Sequence, residues 1–208
     1  MKLKKGVKRF LIVLLILLIL VAIILWIIFG RGEKKQTPQT TTVVETLDNY
    51  GYSLRSDATS LQKSLFEELK QVLNAEPVNE EEYAKLVARS FIADFYTLDN
   101  KVTNNDVGGA QYFYSPVRDN FILKAQDTIY KYVESNLYGD RKQELPIVTA
   151  VDVVSINQTS YTYEETTDDK AYQVEVAITY QTDLGYDSSR QLTIIHDQDN
   201  HLSVVEVS

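Results

Sequence analysis

The chain of 208 residues contains no cysteine. That excludes a disulfide framework, thiol nucleophiles and any cysteine-ligated metal centre. It has one methionine, one tryptophan and two histidines. A histidine-rich metal site is therefore out of reach, and any catalytic imidazole must be His196 or His201. No Ser–His–Asp spacing, phosphate-cradling glycine loop or nucleotide motif is present, and no internal repeat or long heptad run appears. Over most of its length the chain has far fewer basic residues than acidic ones. The first 35 residues hold 8 of the 21 lysines and arginines and 1 of the 29 acids, which leaves a net charge of about −15 on the remainder. So acidic a segment is repelled by phosphodiester backbones, so nucleic acid is not expected as its partner.

What the chain does have is one long apolar run, FLIVLLILLILVAIILWIIF, from Phe10 to Phe29. Its 20 residues carry no glycine, proline, charge or hydroxyl. As a helix it covers about 30 Å, the thickness of a bilayer's hydrocarbon core. Export signals have shorter apolar regions and end in small residues. Here Trp26, Ile27, Ile28 and Phe29 stand at the exit, so an uncleaved anchor is expected. Lys2, Lys4, Lys5, Lys8 and Arg9 precede the run without an acid, whereas Arg31, Lys34 and Lys35 follow it with Glu33 among them. The excess of positive charge predicts a cytoplasmic N-terminus and an extracytoplasmic remainder at the cell membrane. The expected organisation is a cytoplasmic tail over 1–9, a single transmembrane helix over 10–29, a flexible tether over 30–49 and one globular domain over 50–208.

Within that domain the apolar spacing is first helical. Leu61, Leu65, Leu69 and Leu73 recur every four residues after a cap at Asp57, and Pro77 closes the segment. Asn79-Glu80-Glu81-Glu82 has the form of a capping box. A second helix follows with Tyr83, Leu86, Val87, Ser90, Phe91, Phe95 and Leu98 on one side. Ser115-Pro116 starts a third, with a stripe of Val117, Phe121, Ala125, Ile129, either Tyr132 or Val133, and Leu137, stopped by Gly139. After Pro146 the period becomes two. Ile147–Ile156, Tyr161–Glu165, Tyr172–Tyr180, Gln191–His196 and Leu202–Val207 read as strands separated by turns. The fold class is α+β: about three helices packed on a curved antiparallel sheet of four to five strands.

A helix pair including AKLVARSFIADFYTL, then a further helix, then an antiparallel meander resembles the nuclear-transport-factor-2-like cone fold. With an N-terminal anchor, the arrangement is similar to the single-pass assembly-factor subunits of type IV secretion and conjugation machines, such as the TcpC family of conjugative transposons. The resemblance lies in element order and carries no motif, so no functional residue comes with it. It implies a non-enzymatic, extracytoplasmic interaction module in the bacterial envelope, with the membrane and other envelope proteins as partners, and with self-association open.

Against that stands a second reading, an extracytoplasmic small-ligand-binding or sensing domain with a cone-shaped pocket, of which an enzyme is a variant. Asp94 is its candidate pocket residue, since a carboxyl buried near Phe91 and Phe95 has a raised pKa and acts as a base. Tyr112, Phe113 and Tyr114 form a candidate partner surface, because tyrosine is enriched at protein interfaces. His196 and His201 flank the turn DQDN, where Asp197 and Asp199 add oxygen ligands. Nothing in the sequence makes that set converge, so neither a metal, a cofactor nor a catalytic residue is assigned.

Overall fold

The computed structural model describes the backbone of residues 5–29, 38–163 and 165–208, with the side chains of the first segment described over residues 13–25. The chain divides into two compact units, 1–37 and 38–208. The first contains helix α1 (Lys5–Phe29). Its described side chains, Val13 to Leu25, are exposed. The thirteen residues of α1 whose side chains are described cover roughly 20 Å. Among the described residues, no helix is long and apolar enough to cross a membrane. The apolar run in the sequence extends past that stretch on both sides.

The second unit is α+β. It contains α2 (Ser60–Leu73), α3 (Glu80–Phe95) and α4 (Arg118–Asp127). A four-stranded antiparallel sheet runs in the order β3 (Val148–Tyr163), β4 (Thr166–Tyr180), β5 (Ser189–His196) and β6 (Leu202–Val207). A separate two-stranded sheet pairs β1 (Val43–Leu47) with β2 (Tyr52–Arg55). The tether expected over 30–49 thus gives way to ordered strand at Val43; residues 30–37 lie outside the described residues. The two strands expected between Ile147 and Glu165 are one strand, β3, whose register against β4 shifts near Val153 and again near Thr159.

The helix starts follow local chemistry. Thr59, and not Asp57, caps α2: its hydroxyl accepts from the Gln62 amide, and the Gln62 side chain returns to the Thr59 amide. Asp57 is drawn off by Arg55. Asn79 caps α3 by accepting from the Glu82 amide, with three acids in the first, electropositive turn.

Helix α3 is buried almost all round: Ala84, Leu86, Val87, Ala88, Phe91, Ile92 and Ala93 are all inaccessible. A helix with so wide an apolar surface must be covered on several sides. The sheet covers one side through Val174, Val176, Leu192, Ile194 and Val204, and α2 covers another through Leu65, Phe66 and Leu69. Helix–sheet packing is therefore made chiefly by α3, and the three helices do not share one layer on the sheet. Helix α4 reaches the core through Phe121, which stacks on Phe113 at 4.1 Å between ring centroids and contacts Phe91 and Phe95.

The third helix is shorter than its stripe suggests and stops at Asp127. The Thr128 hydroxyl takes the Lys124 carbonyl at 2.6 Å, competing with the helical ladder. The chain then turns to insert Tyr130, whose ring meets Phe95 and whose hydroxyl donates to the Phe95 carbonyl. Burying that aromatic outweighs two further helical turns.

Phe91 joins α3, α4 and the 110–114 segment through Phe95, Phe113 and Phe121. Phe91→Ala is expected to lower stability by about 3–5 kcal/mol. Denaturant unfolding of the full chain followed by tyrosine fluorescence checks this; a loss below about 1 kcal/mol would mean that the cluster repacks.

Candidate functional site

The main concentration of polar chemistry inside the second unit lies where β2, α2, the end of α3 and the segment 99–112 meet. A cleft there has a cavity volume of about 30 Å³, with Arg55, Gln62, Ser90, Asp94, Asn100 and Gln111 among its lining residues. Ligand pockets are usually at least ten times larger, at about 300–1,000 Å³.

Asp94 is among the residues lining this cleft, but its chemistry is the reverse of a general base. The Lys101 ammonium, wholly cut off from solvent, lies 2.6 Å from Asp94 Oδ1, and the carboxylate is 18% exposed. The Gly109 amide donates to Oδ2 at 2.7 Å, and Gln62 Nε2 donates to Oδ1 at 3.3 Å. Burial on its own pushes the carboxyl up. The Lys101 charge and hydrogen bond and the Gly109 amide override it and hold Asp94 below the usual carboxylate range. The expectation of a raised pKa fails because the irregular segment after α3 folds back and delivers the Lys101 cation to the same site.

Beside it Arg55 bridges two acids. It pairs with Asp57 at 2.8 Å and with both oxygens of Asp106, whose Oδ2 also accepts from the Val102 amide at 3.0 Å. Burial raises the Asp106 pKa, and the Arg55 and Val102 hydrogen bonds more than reverse that, leaving it lowered. Burial works against the Arg55 charge, but the bonds to Asp106 and Asp57 raise its pKa. The loop geometry enforces the cluster. A Cβ on Gly108 would lie 2.3 Å from the Asp94 carbonyl oxygen and 2.7 Å from Lys101 Nζ, and Gly109 has φ +74°. Only glycine fits both positions.

Two buried oxygens at the cleft are without a hydrogen-bond partner, Ser90 Oγ and Asn100 Oδ1. Sequence reasoning missed Arg55, Asp57, Lys101 and Asp106, because the end of β2 and the 99–112 segment that supply them meet only in the fold. The local signals were the Asn104-Asn105-Asp106 turn and the Gly108-Gly109 pair.

Tyr112, Phe113 and Tyr114 are not a surface. None is more than 8% exposed. Tyr112 packs on Tyr52, Phe113 on Phe121, and Tyr114 on Tyr163, while the Tyr114 amide donates to the Val204 carbonyl at 2.8 Å. The segment is consumed in covering the edge of β6.

Nor do the two histidines act together. His196 Nδ1 lies 2.9 Å from Asp168 Oδ2 and its Nε2 lies 3.5 Å from Glu80 Oε1. Burial raises the Asp168 pKa, and the His196 amide and ring outweigh it, so that carboxyl is lowered. The His201 ring lies tilted against Tyr50, 4.8 Å between ring centroids. Asp197, Asp199 and His201 do bring ligand atoms within 4.8 Å of one another. Asp197 Oδ1, however, accepts the amides of Asp199 and His201 and closes the hairpin.

Tyr52 and Tyr83 share a 2.7 Å hydroxyl contact, and Tyr83 also meets the Leu202 amide. Burial pushes Tyr83 up to about 12 and Tyr52 well above its ordinary value. Both phenols are neutral, structural hydrogen-bonding groups at physiological pH.

Compared with protein-family models, curated proteins and solved structures, the chain matches nothing.

Asp94→Asn leaves the Lys101 ammonium buried without a counter-ion and is expected to cost about 3–5 kcal/mol, whereas Asp94→Asn combined with Lys101→Met recovers most of that loss. Chemical denaturation of the three variants checks the coupling; equal losses for the single and double variants would refute it. The same pairing gives a pH dependence. Asp94, Asp106 and Asp168 have folded pKa values below their unfolded ones. Their stabilisation is complete above the unfolded carboxylate value of about 4 and is lost as pH falls through the folded values. The melting temperature is expected to be flat from neutrality to about pH 5 and to fall steeply below about pH 4.

Proposed function

We propose that this chain is a membrane-anchored, extracytoplasmic protein-interaction module of a bacterial envelope assembly, of the kind found in conjugation and secretion machines. Under this reading residues 1–9 are cytoplasmic, Phe10–Phe29 spans the cell membrane, and the α+β unit is a nuclear-transport-factor-2-like scaffold outside it. The observation that carries the proposal is the filled interior. The cleft holds only about 30 Å³, and its charged groups are spent on one another. Nothing of substrate size fits there, and the larger hollow of about 450 Å³ beside Lys85, Arg89 and the Val151–Ile156 stretch of β3 is an open surface depression, so the work of the unit falls to its exterior. The 20-residue apolar run and the asymmetry of its flanking charges support the anchor and its direction. The strongly acidic unit is kept from nucleic acid and directed toward protein contacts.

One observation favours the alternative, a small-ligand or sensing domain. Ser90 Oγ and Asn100 Oδ1, both buried and unpaired, border the same cleft. Two orphaned oxygens at one cavity are what a small polar ligand would satisfy.

Absence of native cysteine makes a topology test clean. A Ser208→Cys chain is expected to react with a membrane-impermeant thiol reagent on intact cells, and failure to react sinks the anchored orientation. Extracted in mild detergent, the chain is expected to migrate in an assembly larger than its own micelle complex. Ser90→Val, which fills the cleft, leaves that assembly intact if the unit is a scaffold. Loss of the assembly by a folded Ser90→Val chain transfers the case to the ligand reading.

A further inference from the structure

The aromatics of the second unit are mostly turned inward, which sets off two that are not. Tyr132 is 75% exposed and Tyr138 is 48% exposed. Both belong to the loop that follows α4. This loop is rigidly held: the Tyr132 carbonyl accepts from Gln143 Nε2 at 2.8 Å, the Glu134 amide donates to Gln143 Oε1 at 2.9 Å, and the Asn136 amide donates to the Val102 carbonyl at 2.7 Å. Arg141 adds bonds to the carbonyls of Asp99, Lys101 and Glu134. Two large half-apolar rings are therefore presented to the outside on a backbone that loses little entropy on contact.

The loop also sits where the chain enters the unit. The Gln39 amide donates to the Leu137 carbonyl at 2.6 Å, and the Gln39 side chain lies so close to Gly139 that a Cβ there would fall 2.8 Å from Gln39 Nε2. Ten Cα steps separate Gln39 from Phe29, the last residue of the apolar run. Even fully extended, they span at most roughly 36 Å.

Charge agrees with this placement. Residues 131–142 carry Lys131, Arg141 and Lys142 against Glu134 and Asp140, a net of +1 in a unit of net −15. Lys131 Nζ lies 5.4 Å from the centre of the Tyr132 ring, an ammonium beside an exposed aromatic. Tyrosine with lysine is the pairing that settles at a lipid–water interface: the ring enters the headgroup layer, the hydroxyl stays hydrated and the cation meets phosphate.

We propose that the 131–142 loop, through Tyr132 and Tyr138, rests on the lipid–water interface of the bilayer that holds the anchor. The proposal builds on the anchored reading given above. It commits to lipid as the occupant because only ten Cα steps join this entry face to the apolar run and because Lys131 stands beside an exposed aromatic ring. Resting there leaves the opposite surfaces of the unit for protein partners.

The test uses the full chain in liposomes containing headgroup-quencher lipid, with a fluorophore on Asp140→Cys, which keeps both tyrosines. Thr162→Cys, an exposed position on β3 near the β3–β4 turn, serves as the comparison. Quenching is expected to be several-fold greater at 140 than at 162, and to drop to the level of 162 when Tyr132→Ser and Tyr138→Ser are added. Equal quenching at the two positions overturns the proposal. So does quenching at 140 that survives loss of both tyrosines, or shielding of 140 from water without lipid quenching, which would mean a protein occupant. Flotation of the same samples separates the two readings. A chain that floats without quenching at 140 overturns the loop contact alone, and a chain that fails to float overturns the anchor and the loop contact together.

Discussion

An ammonium group with no solvent contact constrains most of what surrounds it. Lys101 is placed by a stretch of chain that has no regular secondary structure, and stripping its charge of water costs several kcal/mol unless a counter-ion is held beside it. Asp94, on the last full turn of α3, supplies that counter-ion at 2.6 Å. The requirement spreads outward. The Gly109 amide must face Asp94, so Gly108 and Gly109 must lie flat against the helix where no Cβ has room. Tyr130 must come in to receive the Gly108 amide on its hydroxyl, and its insertion ends α4 early. Asp106 fixes the intervening turn through the Val102 amide and binds Arg55 of β2, which joins the small sheet to the same cluster.

Polar residues that suggest catalysis are here committed to architecture. A carboxylate shared between a lysine, a glutamine and a backbone amide is pinned in its ionised state, and the neighbouring Asp106 is pinned by Arg55. Such groups neither exchange protons near neutrality nor reorient toward a substrate. The arrangement gives the irregular half of the unit a defined shape without a ladder of backbone hydrogen bonds. It also leaves little internal space. Under the scaffold reading proposed above, binding energy comes from the outer surface, and the exposed Tyr132 and Tyr138 beside the entry point are part of that surface.

Periodic features were legible from sequence because they depend on local geometry. Leu65, Leu69 and Leu73 at spacing four and Val174, Val176 and Ile178 at spacing two can bury one face only as helix and strand. The Asn79 cap followed from one side chain and one amide. Where two local signals competed, reading was less secure. Thr59 took the cap from Asp57 because Arg55 had claimed the carboxylate. The α4 stripe continued past Asp127 in sequence, but Thr128 and the pull of Tyr130 turned the backbone away.

By itself, the sequence determined that this chain has one long apolar run, no thiol chemistry, and an acidic unit of helices followed by an antiparallel meander, with Asp94 beside Phe91 and Phe95 on a helix. Tertiary structure decided the sign of everything at that site. Burial alone makes a carboxyl a base, and burial against Lys101 makes it a fixed anion; the choice depends on a partner that no period or motif places there. It decided equally that Tyr112, Phe113 and Tyr114 face inward while Tyr132 and Tyr138 face outward. Tyrosine is at home in both settings, and which one it occupies follows from what the rest of the chain brings to cover it.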